Sequence, residues 1–169
     1  MTGRPTTEIS GHGRGDSTLS GMDLVARLVG PCTPAQLFAW VEDLDRYPDW
    51  LEIVTRAEPL TEAAADGAPA WAVDLRGRLG PLARSKRLRM VRTRHDVPTG
   101  VRFERAELDG RDHSPWVLEA DVAPHPDGAE LEMRLHYGGS LFGPVIERVL
   151  RDEIERSRQR LLALVSDAP

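Results

Sequence analysis

Three side chains in this 169-residue sequence combine a polar group with a place on an otherwise apolar face: Glu153, Arg105 and Tyr137. Stepping about 100° per residue through 141–165 gathers Phe142, Ile146, Val149, Leu150, Ile154, Leu161 and Leu164 on one side of a helix. Glu153, with Ser157 one turn later, projects near the middle of that side. A lone buried carboxylate is costly, so a partner is expected. Arg105 alternates onto the face of Val101 and Phe103, and Arg92 is in phase with Leu88 and Met90, which makes these two the candidate partners. A Glu–Arg pair would orient a ligand carbonyl or carboxylate, whereas an unpaired Glu153 with a raised pKa would act as an acid or base. A structural ion pair at the mouth of the fold is the simpler reading, because ion pairs perturb titration without any catalytic role.

Other chemistries find less support. The five histidines, His12, His95, His113, His125 and His136, form no HxH or HxxxH arrangement, so no metal and no cofactor is expected. Nucleophile-elbow, P-loop and dinucleotide-binding glycine patterns are missing from the sequence. Cys32 has no second cysteine to pair with, which suits a reducing, cytoplasmic setting. A net charge of −5, from 22 basic and 27 acidic residues, gives no general case for a nucleic-acid partner. The basic run Arg84, Lys86, Arg87, Arg89, Arg92 and Arg94 is the one local exception, and outward acids such as Glu104, Glu119 and Asp121 stand ready to pair with it across strands. No apolar run reaches the roughly 18 residues of a transmembrane span, so no integral membrane association is expected.

The elements that must position these groups follow from the periodicity. Residues 1–20 hold few apolar side chains and read as a flexible tail. The Gly-Arg-Gly-Asp-Ser letters at 13–17 match an integrin-binding peptide by coincidence of a short motif. A single domain is expected over 21–167. Leu24, Ala26 and Leu28 share one face of a first strand that stops at Gly30-Pro31. Thr33-Pro34-Ala35-Gln36 has the form of a capping box with proline at the first helical position, opening a helix to about Leu44. A second short helix is expected around Tyr47–Leu51. Six alternating segments then run from Ile53 to Tyr137, separated by turn residues, and connections this short favour an antiparallel meander. The fold class is therefore α+β: a curved antiparallel sheet of about seven strands, two short helices after strand one, and a long C-terminal helix over the concave face.

Two stretches carry a resemblance. Pro31-Cys32-Thr33-Pro34-Ala35-Gln36-Leu37-Phe38-Ala39-Trp40-Val41-Glu42-Asp43 is similar to the A-P-P-E-x-V-W-x-x-V-x-D opening of the START-like superfamily of helix-grip proteins. This is the polyketide cyclase/dehydrase and lipid-transport group also called SRPBCC, with a Bet v 1-like fold. Asp45-Arg46-Tyr47-Pro48-Asp49-Trp50 resembles the D-x-x-x-Y-P-x-W that comes next there. With the late helix, the likeness covers about residues 22–166. It implies a fold and a cavity between sheet and helix, but no ligand, because these motifs build the helix pair and its attachment.

The in-phase residues Trp71, Leu75, Leu88, Met90, Phe103, Trp116, Leu118, Met133, Leu135 and Tyr137 would face Phe142, Ile146, Val149 and Leu150, with Arg105 and Glu153 as the polar groups among them. Such a wall suits a lipid, a polyketide or an aromatic metabolite. Binding of an apolar small molecule is the leading expectation. An aromatase/cyclase-type enzyme is the alternative, and a protein, membrane or RNA interaction module using the basic sheet face is a third. A cavity above about 300 Å³ would favour the first two, and a filled core the third.

Overall fold

The computed structural model describes residues 21–61, 67–79, 82–139 and 144–166, with backbone alone at 77–79, 82–85 and 144–151. The expected tail at 1–20 lies outside the described residues. Seven strands form one sheet: β1 (Met22–Gly30), β2 (Val54–Pro59), β3 (Ala70–Leu79), β4 (Leu82–Asp96), β5 (Gly100–Arg105), β6 (Trp116–His125) and β7 (Gly128–Tyr137). Their order is β1-β7-β6-β5-β4-β3-β2, and every pairing is antiparallel. Six strands thus meander, and the last returns to pair with the first, Leu24 opposite Leu135 and Leu28 opposite Leu131. Register shifts between Val54 and Arg56 and between Arg92 and Arg94 add local bend, as bulges do. At the β6–β7 turn Gly128 has φ +130°, and a Cβ there would collide with the Gly30 carbonyl, so only glycine lets this hairpin lie against the end of β1.

Between β1 and β2 the chain forms α1 (Pro34–Phe38) and a 3-10 helix, Leu44–Asp49. The capping box is present: Gln36 N–H donates to Thr33 Oγ1 at 3.2 Å, and Thr33 N–H donates to Gln36 Oε1 at 3.0 Å. The expected helix to Leu44 is shorter by six residues. After Phe38 the amides of Trp40 and Val41 donate to carbonyls three residues back, and this tightening lets Leu37, Phe38, Val41 and Leu44 all turn into the core. The long helix α2 spans Pro144–Ser166, about 35 Å, and contacts β1 and β3 from the concave side. Leu161 and Val165 join the core cluster built by the sheet and the short helices.

Candidate functional site

The short helices are attached to the sheet by polar groups that satisfy one another. Arg92 Nη1 donates to Asp43 Oδ1 at 2.7 Å and to the Glu42 carbonyl at 3.0 Å, while its guanidinium lies 5.5 Å from the centre of the Trp71 ring. Trp71 Nε1 donates to Asp45 Oδ1 at 3.2 Å. Tyr47, fully buried, donates its hydroxyl to the Val41 carbonyl at 3.0 Å, and Trp50 Nε1 donates to the Trp40 carbonyl at 3.2 Å. Burial, with the charge of Asp43 second, pushes the Tyr47 phenol far above its usual range, so it remains a donor at any working pH. The acidic and aromatic positions of the two motif stretches are thereby spent on holding the floor of the fold.

Above this floor, between the concave sheet face and α2, lies a cavity of about 130 Å³. It is smaller than the roughly 300 Å³ at which ligand pockets usually begin, yet the core is not filled. Of the residues expected on its wall, Leu75, Leu88, Met90, Trp116, Leu118, Met133, Leu135 and Glu153 are there. Trp71, Phe103, Arg105 and Tyr137 are not. Trp71 and Phe103 pack edge to face at 5.6 Å, and Phe103 meets Tyr47 at 6.3 Å, so these rings fill the core beneath the wall. Tyr137 is buried against Trp116 at 5.0 Å with the Lys86 ammonium 5.6 Å from its ring centre. Phe142 lies outside the described residues, and Ile146, Val149 and Leu150 belong to the part of α2 described by backbone alone. The wall also contains residues that the sequence pattern did not assign to it: Leu24, Ala26 and Leu28 of β1, Tyr47, Trp50 and Leu51 after α1, and Ile154, Ser157, Arg158 and Leu161 of α2. Arg27 also borders the cavity, but its side chain is 64% exposed and paired with Glu132.

Glu153 is 9% exposed on this wall, and its partner is neither Arg105 nor Arg92. Arg156, one turn on along α2, donates from Nη2 to Glu153 Oε2 at 2.6 Å. Oε1 is buried and has no hydrogen-bond partner among the described residues. Ser157 donates its hydroxyl to the Glu153 carbonyl at 2.8 Å. Arg105 is held instead by the loop after its own strand: Nε donates to Glu107 Oε1 at 2.7 Å and Nη2 lies 3.1 Å from His113 Nδ1. The expected Glu153–Arg105 pair is therefore replaced by two local pairs, since each arginine or carboxylate found a partner a few residues away.

The basic run is likewise distributed. Arg87 pairs with Asp74 at 2.7 Å, Arg94 with Asp121 at 2.5 Å, and Arg92 points inward to Asp43. Arg89, a member of the run that would make up the basic sheet face, is buried and donates from Nη1 to the Ala106 carbonyl at 2.8 Å. Arg102 and Arg134 tie Glu104, Glu119, Asp121 and Glu132 into a lattice across the same face. Burial pushes the Cys32 thiol up, which disfavours the thiolate a nucleophile needs. Among the described residues no group of three or more His, Cys, Asp or Glu side chains is placed to hold a metal ion, and no helix is long and apolar enough to cross a membrane.

Comparison with known proteins places this architecture. No curated protein matches the chain in sequence. A START superfamily protein from Mycobacterium smegmatis superposes with a TM-score of 0.61 at 14% identity, covering 86% of this chain and 97% of that one. A protein from Chromobacterium violaceum gives 0.61 at 15% identity, covering 86% and 99%. The di-domain ARO/CYC StfQ from the steffimycin biosynthetic pathway gives 0.62 at 13% identity over 87% of this chain and 51% of that one. At such identities the likeness is one of fold, a seven-stranded antiparallel sheet around a C-terminal helix. The family model for polyketide cyclase/dehydrase and lipid transport matches residues 25–166, which is nearly the whole of the described chain, and the protein belongs to that family.

Proposed function

We propose that this protein binds an apolar small molecule in the cavity between the sheet and α2. The observation that carries the reading is the wall itself, which is apolar on β1, β3, β4, β6 and β7 and offers one buried carboxylate from the helix. Cavities of about 150 Å³ lined by aliphatic and aromatic groups take up benzene, so a void of about 130 Å³ suits a single ring or a short chain. Native mass spectrometry of protein purified from its own host, with identification of the co-purifying molecule, tests this directly. Ala26→Phe, which fills the cavity from β1, should abolish the bound species while circular dichroism stays unchanged. Retention of the ligand by that variant would move the binding site elsewhere.

The enzyme reading, an aromatase/cyclase using the same cavity, is supported by the fold likeness to StfQ and by Glu153 as an acid–base candidate on the wall. Arg105 and Tyr137 no longer support it, since neither reaches the wall. If Glu153→Gln leaves ligand affinity intact and no turnover of polyketide or ester substrates is found, that reading has nothing left to rest on.

A further inference from the structure

The geometry points to a hydroxyl group on the ligand, donated to Glu153 Oε1. This rests on the cavity being the ligand site and adds the chemistry of what enters it. Oε1 is shut away from bulk water, belongs to a side chain on the cavity wall, and has no partner among the described residues, whereas Oε2 is occupied by Arg156 at 2.6 Å. A buried acceptor left unmatched costs stability, and a carboxylate oxygen more than a neutral one. The hydroxyl of Ser157, one turn on, does not relieve it, because it is turned to the Glu153 carbonyl at 2.8 Å. A donor arriving with the ligand satisfies it.

The class of donor is set by the surroundings. A ligand carboxylate would face Glu153 as a like charge in a nearly dry wall, which is strongly unfavourable. An ammonium group would have to leave water for a wall whose other polar side chains among the described residues, aromatics aside, are Ser157 and the cations Arg27 and Arg158, at a cost in desolvation and like-charge repulsion that one shared carboxylate oxygen does not offset. A neutral phenol or alcohol gives up little hydration and gains a charge-assisted hydrogen bond. The volume adds the size of the buried portion: about one ring beside Trp116, Leu118 and Met133. The expected ligand is thus an apolar body whose buried end is a phenol or a comparable alcohol.

The experiment uses three single-ring probes on the full chain, toluene, p-cresol and p-toluate, titrated by protein-observed NMR. Wild-type protein should prefer p-cresol to toluene and bind p-toluate at least about tenfold more weakly than toluene. In Glu153→Met the preference for p-cresol over toluene should fall by about tenfold or more, the usual size of a charge-assisted hydrogen bond, while toluene still binds. An unchanged preference in that variant overturns the inference and leaves the binding reading standing. Failure of all three probes to bind folded wild-type protein removes both. Should Glu153→Met not fold, 4-methylanisole on the wild-type chain makes the same test: with its donor methylated it should lose about tenfold relative to p-cresol, and equal binding refutes the hydroxyl assignment.

Discussion

The floor under the cavity and the helix wall above it both set polar groups against apolar side chains, and they treat them in opposite ways. On the floor, Asp43, Asp45, Tyr47, Trp50, Trp71 and Arg92 are matched donor to acceptor at 2.7 to 3.2 Å. On the wall, Glu153 keeps one oxygen matched and the other not. A polar network closed on itself fixes one arrangement of the chain and has nothing left to offer a ligand. An open acceptor has the reverse property. The difference separates architecture from recognition more sharply than residue type does, since both regions are built from acids, arginines and aromatics.

The contrast is most exposed to test at the floor, where the largest losses of stability are expected. Phe103 has no solvent exposure and packs on both Tyr47 and Trp71. Phe103→Ala should cost about 3 to 5 kcal/mol. For a chain of this length that corresponds to a fall of roughly 10 °C in Tm, readable by calorimetry. A loss under about 1 kcal/mol would mean that the floor is not the rigid part of the molecule. Tyr47→Phe removes only the hydroxyl and leaves the Val41 carbonyl unmatched. About 1 to 2 kcal/mol is expected in urea denaturation, with no change in ligand binding, because the hydroxyl is committed to the backbone.

How much of the molecule is legible in the sequence depends on the range of each interaction. Strand number, the capping box at Thr33 and the amphipathic α2 are local patterns, and each is found in the structure. So is the inward direction of Glu153, which follows from helical phase alone. What alternation does not reveal is which face a distant strand turns to. The pairing of β1 with β7 joins residues about a hundred apart and brings Leu24, Ala26 and Leu28 to the cavity, although their common face is legible. The motif residues Tyr47 and Trp50 are legible as attachments, while their second role of backing onto the void depends on how the 3-10 helix tucks under the sheet. Arg156 shows the opposite failure: its i,i+3 spacing from Glu153 is a local signal, overshadowed by the search for a partner across the sheet.

Glu153→Met tests the stability side of the wall. Deleting the carboxylate breaks a pair with Arg156, but that arginine is 59% exposed and returns to water without cost. The unmatched Oε1 disappears in the same step. Stability should therefore stay within about 1 kcal/mol of wild type, unlike the floor variants. A loss of about 3 kcal/mol or more would show that Glu153 is tied into the fold as firmly as Asp43, and the distinction between the two regions would collapse.

The smallest effect belongs to a third setting, the convex face, where ion pairs are exposed. The hydrogen bond from Arg87, and then its charge, hold the Asp74 carboxyl below the usual carboxylate range. A carboxylate whose folded pKa is depressed contributes stability that is fully present above the unfolded value, near about 3.9, and is lost as pH falls through the folded value. Asp74→Asn should thus make the decline of stability below about pH 4 shallower than in the wild type, with Asp109 and Glu132, likewise held low by their partners, supplying the rest, and with little difference near pH 7. Half-molar salt should shrink even that difference, because exposed charges are screened at such ionic strength. The floor pair Arg92–Asp43, its arginine 15% and its carboxylate 43% exposed, should lose a smaller share of its contribution under the same salt, because Arg92 also donates to the Glu42 carbonyl, a bond to a neutral acceptor that screening does not remove.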